Sequence, residues 1–158
     1  FHDVLIRNER DPGVHYRVYS YEGWYAYISS LENYYACSMK LLTQEARDGL
    51  FGVRNRPVLT KVRNSPPTRY SAGSDVTNSV IADGCVIEGK VENCILFRGV
   101  RIGRGAVIRN SILMQNTYVG SDVRLDCVIT DKDVVIRDGR GLSGCEKLPY
   151  FIGKGGRL

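Results

Sequence analysis

A short motif recurs four times in this chain: Asn78-Ser79-Val80-Ile81, Asn93-Cys94-Ile95-Leu96, Asn110-Ser111-Ile112-Leu113 and Asp126-Cys127-Val128-Ile129, at spacings of 15, 17 and 16 residues. Between the copies runs a second motif, an apolar residue, a glycine-bearing or small turn, and a further apolar residue. It reads Ile81-Ala-Asp-Gly84-Cys-Val-Ile87, Ile102-Gly103-Arg-Gly105-Ala106-Val-Ile108 and Val119-Gly120-Ser-Asp-Val123-Arg-Leu125. The finer period is six: Ile102 to Ile108 to Met114 and, after a one-residue slip, Val119 to Leu125. Ala106, Ile112, Val123 and Ile129 follow four places on. Six residues match neither a helical turn nor a strand running on, but they match a triangular coil with a short strand on each side and a tight turn at each corner. Gly and Asn then supply corners where positive φ costs little. The expected fold is mainly β: a left-handed parallel β-helix of hexapeptide type over residues 65–158, its clearest repeat spanning 76–136. An antiparallel sandwich turns every 8–12 residues, less often than this sequence does.

One such coil cannot stand alone. It buries four or five aliphatic side chains worth about 1.5–3 kcal/mol each, against about 1–2 kcal/mol for ordering each residue. Stacking must supply the rest by covering both edges of every coil. Cys85, Cys94 and Cys127 fit that stack as small packing residues. The five cysteines, with Cys37 and Cys145, form no C-x-x-C pair and are odd in number, so they read as reduced thiols without metal-ligand spacing.

Residues 1–64 have a different texture. Val18 to Tyr21 reads as a strand, and Ser29 or Ser30 caps a helix from Leu31 to Leu42, with Leu31, Tyr34, Tyr35, Ser38, Leu41 and Leu42 on one face. Leu50 and Phe51 read as an anchor, Pro57 to Val62 as extended chain, and Pro66-Pro67 as the stop that leads into the coils. An αβ edge unit and a linker are too little for an independent domain. Opening on Phe1-His2-Asp3-Val4 without Met, the chain reads as part of something longer. Lys plus Arg number 22 against 17 Asp plus Glu, a formal charge of +5 without a basic run; this favours a small phosphate ligand or none over nucleic acid. No apolar stretch approaches 18 residues and no leader pattern is visible, so no membrane span is expected and the cytoplasm is the expected compartment.

Gly23-Trp24-Tyr25, Leu31-Glu-Asn-Tyr-Tyr35, Met39-Lys-Leu-Leu42, Pro67-Thr-Arg-Tyr70 and the repeats ending Ile129-Thr-Asp131-Lys132 together resemble bacterial glucose-1-phosphate adenylyltransferase (ADP-glucose pyrophosphorylase), and most of all its GlgD-type regulatory subunit. The resemblance implies that residues 1–64 close a nucleotidyltransferase domain that joins ATP and glucose 1-phosphate with Mg²⁺ in the full-length assembly. It implies no cofactor and no catalytic residue within these 158 positions. Catalytic relatives carry a metal-binding Asp in a Trp-x-Asp-[Val/Ile]-Gly-Thr stretch, where this sequence has Tyr27. A phenol is a poor ligand for a hard cation that prefers carboxylates. A shifted register would bring Glu22 nearest, with Asp3 and Asp11 further upstream. The resemblance also implies that Lys132 and Lys154 help hold a sugar-phosphate or phosphate effector, with Arg98 and Arg109, and in the same manner Arg124 and Arg137, joining them if they share a side of the triangle. The plain alternative is solvated surface charge. Partners expected are a catalytic subunit of the same enzyme or a second copy.

Two further classes use such coils. A hexapeptide acyltransferase needs a histidine as general base, and His2 and His15 both lie outside the repeat. A purely structural module would use the coil edges to assemble.

Overall fold

A computed structural model describes residues 11–158. Within them, fifteen strands of two or three residues form three parallel sheets of five. Successive strands belong to different sheets, and each pairs with the equivalent strand one coil away, so the chain winds as a three-sided parallel β-helix. The first face stacks Arg69–Tyr70, Val86–Ile87, Arg101–Ile102, Tyr118–Val119 and Val135–Ile136. On the second lie Asp75–Thr77, Lys90–Glu92, Val107–Arg109, Arg124–Asp126 and Gly141–Ser143. The third comprises Val80–Ile81, Ile95–Leu96, Ile112–Leu113, Val128–Thr130 and Tyr150–Ile152. The coils therefore run beyond 76–136 at both ends.

Each face turns one column inward: Ile87, Ile102, Val119 and Ile136 on the first, Val91, Ile108 and Leu125 on the second, Leu96, Leu113 and Thr130 on the third. All are essentially excluded from solvent. The steps from Ile102 to Ile108, Leu113 and Val119 are six, five and six residues. Leu113, not Met114, points inward; Met114 is half-buried at the next turn. The short step falls where a single left-handed residue turns the second face into the third. Asn78, Asn93, Asn110 and Cys127 hold that place, with φ of 41°, 53°, 47° and 51°.

Cys127 in that column corrects the register of the fourth copy. Ile129 pairs with Ile112 and Thr130 with Leu113, so Cys127 aligns with Asn110, one residue later than the sequence motif suggests. The third face steps from Ile81 to Leu96, Leu113, Thr130 and Ile152, spacings of 15, 17, 17 and 22 residues. Asp126 mimics the motif because its carboxylate fills the side-chain place. Asn78 donates from Nδ2 to Asn93 Oδ1 (2.8 Å), Asn93 to Asn110 (3.3 Å), and Asn110 to Asp126 Oδ1 (2.9 Å). The left-handed backbone, which costs an ordinary L-residue about 1–2 kcal/mol, passes to Cys127.

Two helices precede the coils. Helix α1 (Leu31–Lys40) is capped by the Ser30 hydroxyl, which accepts from the Asn33 N–H, and it ends two residues before the expected Leu42. It lies on the outer side of the third face, where Tyr35 packs with Ile112, Cys127 and Ile129, flanked by Tyr34, Met39 and Ile95. The Tyr35 hydroxyl donates to the Asn110 carbonyl (2.7 Å) and approaches Cys127 Sγ (3.6 Å), and burial pushes it above the usual phenol range. Helix α2 (Gln44–Phe51), capped by Thr43, was not expected. Its buried residue is Ala46, while of the expected anchor pair Leu50 is half-buried and Phe51 is exposed.

No strand forms at Val18–Tyr21, where Val18 is fully exposed; a strand needs a hydrogen-bonded neighbour, and none lies beside it among the described residues. Residues 57–62 also carry no regular element. His2 and Asp3 lie outside the described residues. No described helix is long and apolar enough to cross a membrane.

Candidate functional site

Charge gathers at the corner between the third and first faces. There the left-handed residues Gly84, Gly99, Asn116, Asp133 and Gly155 make the turn. Their backbone N–H groups bond to the coil before: Gly99 to the Asp83 carbonyl, Asn116 to Arg98, Asp133 to Gln115 and Gly155 to Lys132. These bonds stack Asp83, Arg98, Gln115, Lys132 and Lys154 in one column, successive members about 4.8 Å apart.

Three of the four expected effector residues, Arg98, Lys132 and Lys154, therefore share a corner. Arg109 does not. It sits on the second face in register between Glu92 and Asp126, with Nε 3.2 Å from Glu92 Oε2. Arg124 lies on that face too, and a smaller cavity of about 250 Å³ adjoins it and Arg109. Arg137 stands just past the first-face strand Val135–Ile136.

A cavity of about 450 Å³ opens at the charged corner, lined by Arg63, Ser65, Asp83, Arg98, Gln115, Lys132 and their neighbours. Its floor is the coil column and its roof is the chain entering the first coil. That entry is held where the Gly84 N–H donates to the Pro66 carbonyl (2.8 Å) and the Thr68 hydroxyl to the Ala82 carbonyl (2.8 Å). Gly84 faces Ser65 closely, a side-chain carbon there falling 3.8 Å from Ser65 Cβ.

The electrostatics of the site are uneven. Arg98 Nε stands 2.8 Å from Asp83 Oδ1, and the Ser65 hydroxyl and the Arg98 guanidinium hold the Asp83 carboxyl below the usual carboxylate range. Arg63 and Lys132 have no ion pair among the described residues. Gln115 Oε1 is buried without a hydrogen-bond partner. A buried acceptor left unpaired costs about 1–3 kcal/mol, so a group that brings a donor there is favoured. Lys as a point charge and Arg as a planar fork are the donors that recognise phosphate.

The donors gathered at this corner suit the binding of an anion. Tyr27 and His15 are exposed in the irregular segment before α1, outside the coils. Among the described residues no group of three His, Cys, Asp or Glu stands close enough to hold a metal, and a phenol at position 27 does not suit Mg²⁺. All five cysteines are free. Cys85 and Cys94 lie in the coil core, and burial pushes the Cys94 thiol up to about 12.

Gln115 and Arg63 escaped the sequence reading for different reasons. Gln115 lies 17 residues from both Arg98 and Lys132, so the true coil length would have found it. Arg63 joins the site through the path of the linker, which no local pattern encodes.

The profile of the domain described as "GlmU-like, C-terminal hexapeptide" matches residues 66–144. The chain is similar to the glycogen biosynthesis protein GlgD of Bacillus subtilis (strain 168), 44% identical over 137 residues, covering 87% of this chain and 40% of that protein. It is also similar to GlgD of Geobacillus stearothermophilus, 51% identical over 71 residues, covering 45% of this chain and 20% of the relative. Glucose-1-phosphate adenylyltransferase of Desulfitobacterium hafniense (strain DSM 10664 / DCB-2) is 29% identical over 152 residues, covering 85% of this chain and 38% of the relative. The chain thus spans two-fifths or less of the relatives it matches.

Proposed function

We propose that these residues form the regulatory and subunit-contact part of a protein of glycogen biosynthesis: the chain belongs to the GlmU-like C-terminal hexapeptide family, and its charged corner offers donors for an anion. The whole protein would be of the glucose-1-phosphate adenylyltransferase kind, GlgD-like in character, and would act in the cytoplasm. The observation that carries this reading is the column of Arg98, Gln115, Lys132 and Lys154 beside its cavity.

A phosphorylated effector would set its anionic oxygens against Lys132 and the free edge of Arg98. A hydroxyl, of a sugar or of hydrogen phosphate, would satisfy Gln115 Oε1. The joining of ATP to glucose 1-phosphate, and the Mg²⁺ that assists it, would belong to residues of the assembly outside this chain. With Tyr27 in place of an acid, the full-length protein would work beside a catalytic subunit or modulate a second copy, and the coils would supply contact surface.

The test is ADP-glucose formation by the full-length protein with its catalytic partner, titrated with sugar phosphates and with inorganic phosphate. Removing one charge-assisted contact in Lys132→Ala or Lys154→Ala shifts the half-effective concentration by about tenfold, with the coils still folded by circular dichroism. Unchanged activation and inhibition curves in both variants refute the assignment.

A further inference from the structure

The two walls of the corner cavity are held with unequal strength. The column is fixed by a backbone hydrogen bond at every coil. The roof is tied at Pro66 and Thr68, but no backbone hydrogen bond among the described residues holds 57–65. Leu59 and Val62 in that stretch are 88% and 87% exposed. Arg63 therefore lies on the free side of the tether, two residues before the Ser65 hydroxyl that bonds Asp83 and three before the first backbone hydrogen bond at Pro66.

The charges give that freedom a consequence. Arg98 is already matched by Asp83, and Asp133, the cavity's other carboxylate, accepts from Asn116 Nδ2 (3.0 Å). The lining thus carries a surplus of positive charge, with Arg63 on the roof and Lys132 on the floor outside any ion pair among the described residues. Surplus positive charge in the lining opposes closure of the roof, and an anion bound between Arg63 and Lys132 reverses the sign of that force. We propose that Arg63 is the movable half of the anion site, so that an anion bound at the Arg98–Lys132 corner draws the linker onto the coils and pins it there. The inference rests on the reading that this corner binds an anion, and adds to it how the bound state reaches the rest of the chain. Linkage makes the effect reciprocal: whatever holds the linker closed tightens anion binding by the same factor.

Limited trypsinolysis of the full chain reads the linker directly, because Lys61 and Arg63 are themselves cleavage sites and exposed Arg17 serves as a distant control. The probe is inorganic phosphate, its Kd measured by calorimetry on the same protein. With phosphate at ten times that Kd, cuts after Lys61 and Arg63 slow about 11-fold, provided the linker must open to be cut, and the cut after Arg17 keeps its rate. In Arg63→Gln, phosphate binds several-fold more weakly and Lys61 loses its protection. Phosphate that binds the wild-type chain while leaving the linker cuts unchanged overturns the strap and spares the anion site. Equal phosphate affinity in Arg63→Gln overturns it too. Absence of phosphate binding to the wild-type chain removes both.

Discussion

Replacing Leu113 with Ala, beside a matched Met114→Ala, tests the coil register where sequence and structure part. Leu113 is completely buried and lies in the third-face column between Leu96 and Thr130. Both neighbours are fixed in hydrogen-bonded strands, so the walls of the new cavity cannot close in. Leu-to-Ala changes in cores cost about 2–5 kcal/mol, more where the site collapses least, and the rigid column places this one at about 3–5 kcal/mol. Met114 keeps part of its surface in water at the turn, and its truncation costs about 1 kcal/mol or less. Urea unfolding followed by far-ultraviolet circular dichroism separates the two, since about 3–5 kcal/mol at an ordinary slope moves the midpoint by more than about 1 M. A Met114→Ala variant as destabilised as Leu113→Ala would restore the even six-residue step and refute the six, five, six winding.

The docking of α1 and the burial of the thiols yield two further expectations. Tyr35→Phe leaves the Asn110 carbonyl without its donor, a local cost of about 1–3 kcal/mol, so amide exchange in α1 quickens about tenfold while the first face keeps its protection; equal quickening in both would make helix and coils a single unit. The folded Cys94 thiol is raised to about 12 from an ordinary 9.0, so its contribution is complete below pH 9 and lost as pH rises toward 12, where the unfolded chain ionises first. Stability should therefore fall more steeply between pH 9 and 11 in the wild-type chain than in Cys94→Ser, and parallel curves would contradict the burial.

The repeat was legible because every coil must solve the same packing problem with the same residue types, and the inward columns at Ile102, Ile108, Val119 and Leu125 follow from periodicity alone. The register slipped where chemistry imitated sequence. Asp126 looks like the motif's Asn because it accepts the same ladder bond, yet its backbone ends a strand and Cys127 makes the turn. Ile112 and Ile129 belong to the same six-residue pattern, but they face outward and are buried by Tyr35, a contact between residues far apart in sequence. Val18–Tyr21 had the composition of a strand, though composition cannot supply a neighbour. In α2 the Thr43 cap and Glu45 in the first turn were readable signals, masked by Gly49 in the helix interior. At the charged corner, Lys132 and Lys154 came from motif resemblance and Arg98 from its basic character. Their alignment with Gln115 required the coil length that the misplaced fourth copy had blurred.

The asparagine ladder on the corner between the second and third faces has a direction. A carboxylate can only accept, so Asp126 obliges Asn110 to turn its amino group toward the later coils. The Asn110 oxygen then faces back and receives Asn93, whose oxygen in turn receives Asn78. One charge thus sets the polarity of three amides on three coils, each polarising the next. The aliphatic columns hold nearly interchangeable side chains, and a slip by a whole coil would bury almost the same surface. A ladder that terminates at one acid admits no such slip, and so it serves as the key that tells each coil its place in the stack.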